Sequence, residues 1–192
     1  TPNISQSPGA GSPVSGVGTT TVVLTATDGA GNSVSCSFDV NRIDITPPSV
    51  SCPVTQNLVL NSACSATLPL YSPLSTSDNC GTQSVTQSPT AGSTVTGVGT
   101  TTVVLTANDG NGNSTSCSFD VNRLDITPPD ITCPATQTLI LDASCSATLP
   151  LYSAVSTADN CGTPSVTQLP VAGTTETGTG TTTVFLTATD GV

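Results

Sequence analysis

The chain has 192 residues, including 17 glycines, 15 prolines and 8 cysteines, with no histidine, methionine or tryptophan and two basic residues against twelve acidic ones. A formal net charge of −10 leaves no basic surface to neutralise phosphates, which excludes nucleic-acid binding, and no polybasic patch for an anionic membrane. No apolar run approaches the ~18 residues needed to span a bilayer, so no membrane insertion is expected in this segment.

The chain repeats itself. Residues 1–81 and 82–162 align without a gap at about 70 per cent identity, and residues 163–192 open a third copy. A period of 81 residues is too long for solenoid units and suits a small sandwich domain able to bury its own core. Each joint is a double proline: Asp44-Ile45-Thr46-Pro47-Pro48 followed by Cys52-Pro53, then Asp125-Ile126-Thr127-Pro128-Pro129 followed by Cys133-Pro134. Adjacent prolines fix φ and hold the preceding residue extended, so these segments read as stiff connectors. The joints divide the chain into 1–43, the C-terminal part of one sandwich repeat; 44–124, a complete repeat; and 125–192, a repeat without its last strand. On this reading the sequence is a window on a longer tandem array.

In the complete repeat, Val50-Ser51-Cys52 alternates apolar and polar as an incoming strand does. Leu58-Val59-Leu60 is a short strand turned back by Asn61-Ser62-Ala63. Residues 64–68 alternate, with Cys64, Ala66 and Leu68 on one face, and Pro69 and Pro73 limit how far that strand can run. Residues 77–81 form a turn cluster, 84–87 a strand, 89–92 a turn and 93–96 a further strand. The strongest strand is 100–107, with Val103, Leu105 and Ala107 inward. Asp109 to Asn113 is a hairpin turn, since Gly and Asn accept φ > 0. The last strand, 116–121, turns Cys117, Phe119 and Val121 inward. About seven short strands with turns every 8–12 residues predict an all-β chain. Its tandem immunoglobulin-like sandwiches of about 81 residues would be disulfide-stapled and joined end to end. Val22, Val103 and Val184 keep one residue at an inward position, whereas the next position holds Val23, Val104 and Phe185, which places it outside the core.

These residues carry a resemblance. Asp-x-Thr-Pro-Pro-x-Ile/Val-x-Cys-Pro (44–53, 125–134), Asp-Asn-Cys (78–80, 159–161), Gly-Thr-Thr-Thr-Val (99–103) and the close Ala-x-Asp-Gly-x-Gly-Asn with Cys-x-Phe-x-Val (107–121) resemble the hyalin repeat (HYR) family. The resemblance implies extracellular immunoglobulin-like modules of matrix and bacterial surface proteins, implicated in adhesion. Near-identity between neighbouring copies departs from a mosaic receptor and suits a polymeric array.

Asp78, Asn79, Asp109, Asn111 and Asn113 offer oxygen ligands on loops expected to share one pole with Asp44, so calcium at that joint is the candidate metal; no other cofactor is expected. Against it stands the ordinary reading of Asp and Asn as turn residues that bond their own backbone. Asn3 and Asn113 open N-glycosylation sequons, which arise often by chance in a chain this rich in Ser, Thr and Asn. No histidine or lysine stands ready to activate a nucleophile, and the turn aspartates repeat in every copy, so no catalysis is expected.

The expected function is structural: a segment of a long extracellular or cell-surface filament or stalk. Its partners would be its own tandem repeats, neighbouring filament subunits or surface glycans. The alternatives are a glycan- or protein-binding module, for which Tyr71, Tyr152 and Phe185 are the exposed-aromatic candidates, and an accessory domain of a secreted hydrolase.

The eight cysteines fall four per repeat in register, without Cys-x-x-Cys or histidine, which favours disulfides in an oxidising setting over zinc. In a sandwich of this kind strand one starts at the pole where strand three begins, and strand two faces the last strand across the core. The expected bonds are therefore Cys52–Cys80, Cys64–Cys117 and Cys133–Cys161, with Cys36 and Cys145 pairing outside the window. The runner-up joins Cys52 to Cys117 and Cys64 to Cys80.

Overall fold

The structure, a computed structural model, describes residues 1–191. Every regular element among them is a strand. Residues 1–43 give β1 (Asn3–Ser7), β2 (Gly18–Thr27) and β3 (Ser33–Arg42). Residues 44–124 give β4 (Ser49–Ser51), β5 (Gln56–Val59), β6 (Ser65–Thr67), β7 (Ser75–Ser77), β8 (Ser84–Ser88), β9 (Thr94–Thr96), β10 (Gly99–Asn108) and β11 (Ser114–Leu124). Residues 125–191 give β12 (Asp130–Thr132), β13 (Ser146–Thr148), β14 (Ser156–Ala158), β15 (Ser165–Leu169), β16 (Thr175–Thr177) and β17 (Phe185–Thr189). The chain is all-β and of the immunoglobulin-like sandwich class; the complete repeat holds a sheet in the order β5-β11-β10-β8 and the pairs β4–β7 and β6–β9.

The chain forms two compact units. The first comprises Thr1–Val54, Leu70–Thr90 and Val103–Phe119. In it β1, β2 and β3 make an antiparallel sheet, β4 pairs with β7, and β8 pairs with β10. Period-2 alternation in β10 buries Val103, Leu105 and Ala107 completely, each at 0% exposure, as the sequence pattern required. Phe119 joins them, and the ring of Tyr71 meets it edge-on at 5.0 Å. Burial against that ring raises the Tyr71 pKa.

The second unit comprises Thr55–Pro69, Ala91–Thr102 and Asp120–Val192. Here β5 runs parallel to the end of β11, Gln56 opposite Val121, and β6 pairs with β9. Leu60, Leu68 and Val121 are buried. Farther along, β12 pairs with β14, β13 with β16 and β15 with β17, and Leu149 takes the buried place that Leu68 holds one period earlier. Phe185 is 62% exposed, matching the tolerant position read from the repeat comparison.

The disulfides depart from the expected set. Cys52 bonds Cys117, with Cα atoms 5.7 Å apart, and Cys64 bonds Cys161 at 4.8 Å; Cys36, Cys80, Cys133 and Cys145 are free thiols. Cys52–Cys80 fails because of β7, a strand the sequence reading did not assign. The antiparallel register Ser51↔Ser75 and Ser49↔Ser77 sends Cys52 off one end of the pair and Cys80 off the other. At ~3.3 Å per residue that separates them by about 20 Å. The same register in β12–β14, Thr132↔Ser156, keeps Cys133 from Cys161. Cys52 instead meets Cys117 because the parallel register Gln56↔Val121 extends four residues back along both segments. With Cys117 taken, Cys64–Cys117 is closed off in any case by place. The Leu60 N–H bonds the Leu124 carbonyl, so the 61–64 turn lies at the far end of β11 from Cys117.

Candidate functional site

Three loops of the first unit bring carboxylates together. Asp44 opens the double-proline joint and folds back on it, Oδ1 accepting from the Thr46 amide at 3.0 Å. Asp78 caps the turn before β8, Oδ2 accepting from the Cys80 amide at 2.9 Å. Asp109 closes the β10–β11 hairpin, Oδ1 accepting from the amides of Asn111 at 2.7 Å and Asn113 at 3.0 Å. One carboxylate oxygen from each of Asp44, Asp78 and Asp109 lies within 4.8 Å of the others. Asp44 is 8% exposed and Asp109 3%.

Asparagine side chains supply the compensating donors. Asn79 Nδ2 and Asn111 Nδ2 approach the two Asp44 oxygens, each at 3.4 Å, and Asn111 Nδ2 also reaches the Cys80 carbonyl at 2.8 Å. Asn113 Nδ2 donates to Asp109 Oδ2 at 2.6 Å and to the Asp44 carbonyl at 3.2 Å. Burial pushes the Asp109 carboxyl up, and the hydrogen bonds from the Asn113 side chain and the loop amides outweigh it, leaving the pKa below the ordinary 3.8. Gly81 has φ 153°, and a Cβ there would sit 3.0 Å from the Asp109 carbonyl oxygen, so the turn admits the hairpin only with glycine.

The candidate residues thus meet as expected, with a division of labour the sequence did not reveal. Asp44, Asp78 and Asp109 present the oxygens that a hard cation needs, and Asp78 Oδ1 is buried without a hydrogen-bond partner. Asn79 and Asn111 face the cluster nitrogen-first; a half-turn of each amide would offer oxygen instead. Asn113 is committed to holding Asp109 in place. A second cluster, Asp125, Asp159 and Asp190, repeats the first in the second unit, its carboxylate oxygens also within 4.8 Å of one another. Asp125 Oδ1 accepts from the Thr127 amide at 3.0 Å and Asn160 Nδ2 at 3.1 Å, chiefly the former holding its pKa down. Asp125 Oδ2 and Asp159 Oδ1 are buried without partners. Stepping the first three aspartates forward by 81 finds all three of the second set, a signal present in the sequence.

Of the remaining candidates, Asn3 is exposed in β1. A glycan on Asn113 would leave its Nδ2 a single hydrogen, too few for both bonds it makes. Tyr71 is half-buried against Phe119 and Tyr152 is half-buried with its amide bonded to Gln168 Oε1 at 2.7 Å, which leaves Phe185 as the exposed aromatic of the three. A cavity of about 970 Å³, walled by Leu139, Leu141, Leu149, Tyr152, Val184 and Leu186 among others, lies in the second unit. One period earlier the counterparts Leu60, Leu68, Val103 and Leu105 are all buried, so these walls are core positions of the repeat.

Residues 43–123 match the HYR domain family. The chain carries an HYR domain. It is 30% identical over 155 residues to the protein named hyalin of Strongylocentrotus purpuratus, covering 77% of this chain and 13% of that protein. Hyalin of Lytechinus variegatus is 30% identical over 156 residues, 77% of this chain and 29% of that protein. The chain therefore spans less than a third of either relative. Among solved structures, extracellular cadherin domains 1–4 of protocadherin gamma B7 align at 17% identity and a TM-score of 0.31, over 91% of this chain and 49% of that one. That likeness is too low to carry any inference.

Proposed function

We propose that this chain is a structural segment of a long extracellular tandem array, a filament or surface stalk of HYR repeats serving adhesion or matrix formation without catalysis. The observation that carries the reading is repetition of a complete mechanical unit. Double-proline joint, carboxylate cluster and strand pairs recur at a spacing of 81 residues, from β4–β7 to β12–β14 and from β6–β9 to β13–β16. A binding protein can diversify its loops from copy to copy, whereas here the Asp-Ile-Thr-Pro-Pro joint and the Asp-Asn-Cys-Gly turn are the same in both copies. The HYR match at 43–123 supports repeat boundaries at 44 and 124, and the relatives named hyalin support an extracellular, adhesive setting. Its partners on this reading are its own repeats or neighbouring subunits. Electron microscopy of the array tests it: domains strung at about 35–45 Å per repeat, the length of a short-strand sandwich plus linker, are expected. Compact clusters of side-by-side domains would refute it.

Calcium at each carboxylate cluster is the second proposal, supported by the buried, unpartnered oxygens of Asp78 and Asp159. Asp44, Asp78 and Asp109 would hold the ion, which would supply the positive charge that no nearby basic residue provides. Thermal melting in chelator and then in millimolar calcium should show a higher midpoint with calcium, abolished at the first cluster by Asp78→Asn. An unchanged midpoint would leave these aspartates as turn formers alone.

A further inference from the structure

Cys64 and Cys161 belong to successive repeats, so their bond crosses from one repeat to the next. The site around it is built. Asn61 Oδ1 holds the turn by accepting from the amides of Ala63 at 2.9 Å and Ser65 at 3.2 Å, and the Cys64 amide bonds the Asn61 carbonyl at 2.9 Å. That turn places Cys64 at φ 51°, an αL conformation uncommon outside glycine. From the other side Asn160, next to Cys161, donates Nδ2 to the Asn61 carbonyl at 3.1 Å, a hydrogen bond alongside the disulfide.

Both halves of this site recur, each with a free cysteine. Cys145 stands in the same turn one period on. Asp142 Oδ1 accepts from the amides of Ser144 at 2.8 Å and Ser146 at 3.0 Å, the Cys145 amide bonds the Asp142 carbonyl at 2.9 Å, and φ is 56°. Gly178 donates to the Cys145 carbonyl as Gly97 does to that of Cys64, both at 2.9 Å. The Cys145 thiol is exposed and free. Cys80 repeats Cys161: Asn79 Nδ2 lies 3.3 Å from its sulfur and reaches Asp44, as Asn160 Nδ2 lies 3.4 Å from the Cys161 sulfur and reaches Asp125.

We propose that Cys145 and Cys80 are the two half-sites of a repeat-to-repeat disulfide, so that every repeat is bonded to the next by a covalent link additional to the backbone. The inference rests on the tandem-array reading for its setting. The occupant in each case is a further copy of the same repeat. Cys145 takes the Asp-Asn-Cys cysteine of a following copy, and Cys80 takes the αL-turn cysteine of a preceding one. The chemistry is thiol–disulfide exchange with a small disulfide such as oxidised glutathione. The Cys145 thiolate attacks one sulfur and releases one small thiol. The partner cysteine then displaces the second. The protein thiols lose two electrons, the oxidant gains them, and two small thiols leave.

The test compares the 192-residue chain with one lengthened by a copy of residues 112–191, which continues the period. Both are refolded in a glutathione redox buffer, alkylated and digested without reduction. In the shorter chain the Cys64 peptide should be linked to the Cys161 peptide and Cys145 fully alkylated. In the longer chain Cys145 should lose its label and appear linked to the added counterpart of Cys161. Cys145 still alkylated in the longer chain, or linked to Cys161 within its own repeat, would overturn the proposal. Because the extra copy is supplied, this outcome does not depend on how many repeats the natural array contains, which microscopy reads separately.

Discussion

Removing the Cys52–Cys117 bond by the double substitution Cys52→Ala/Cys117→Ala tests whether a single staple governs the stability of the complete repeat. The bond closes a loop of sequence separation 65. The chain-entropy relation for such a loop gives about 4.3 kcal/mol at 25 °C, and residual structure in the unfolded chain trims that to about 3–4 kcal/mol. For a domain near 80 residues each kcal/mol moves the melting midpoint by about 4–8 °C, so a fall of roughly 15–25 °C is expected. Tyr71 is the natural reporter. Its ring packs on Phe119, two residues past Cys117, and the chain has two tyrosines and no tryptophan. A Tyr152→Phe background therefore leaves one emitter, placed beside the perturbed bond, and Cys64–Cys161 remains as an internal control. Urea unfolding followed by Tyr71 fluorescence should show the midpoint move with the slope nearly unchanged. A loss below about 1 kcal/mol, with Cys52–Cys117 proven present in the parent, would falsify the loop-closure account.

Acid should destabilise the chain in a defined window. Asp28, Asp109, Asp125 and Asp142 all have pKa values lowered from 3.8 by hydrogen bonds, from Asn32 to Asp28 and from the Ser146 amide to Asp142 above all. A depressed folded value adds stability above the unfolded pKa and loses it as pH falls through the folded one. Urea midpoints should hold level down to about pH 5 and drop below about pH 4; a decline beginning near neutrality would contradict this. Gly81→Ala should cost about 1–3 kcal/mol from its φ of 153° and the 3.0 Å approach to the Asp109 carbonyl, whereas Gly162→Ala, with nothing within 4 Å, should cost far less. Equal losses in urea unfolding would remove the steric argument. Leu105→Ala, at 0% exposure, should cost about 2–5 kcal/mol and Phe185→Ala, at 62%, less than about 0.5 kcal/mol, by the same assay. The reverse order would mean that the repeat comparison misassigned the faces.

What could be read from sequence was whatever apolar alternation marks. β10 and the hairpin to β11 were legible because Val103, Leu105, Ala107, Phe119 and Val121 repeat every second residue and Asp109 to Asn113 demands a turn. β7 was not, because Ser75, Thr76 and Ser77 carry no apolar side chain. That strand is held to β4 by its backbone and by hydroxyl contacts, Ser49 Oγ to Ser77 Oγ at 2.7 Å and Ser51 Oγ to Ser75 Oγ at 3.0 Å. Overlooking it moved Cys80 toward Cys52 by an entire strand pair, and the disulfide set followed that error. The Asp44 cluster was legible as a convergence of three loops. Its hydrogen-bond polarity was not, since an asparagine shows in sequence that it has an amide and not which end faces inward.

The cysteines separate two jobs that the sequence runs together. Cys52 and Cys117 lie in segments running side by side in parallel, so their bond completes the core of one repeat and needs nothing from a neighbour. Cys64 cannot serve that core. Pro69 and Pro73 interrupt the strand that would have carried its face onward, Cys64 sits in an αL turn at φ 51°, and its bond goes to Cys161 of the next repeat. Cys80 lies beyond the β4–β7 pair at the end remote from Cys52. In the complete repeat two cysteines bond each other, Cys64 in the 61–64 turn bonds the next repeat, and Cys80 in the Asp-Asn-Cys turn is free. A domain meant to act alone gains nothing from two cysteines that have no partner within it. On the proposed pairing, a domain that is one of many gains a covalent link to each neighbour, and the four cysteines per repeat are all accounted for.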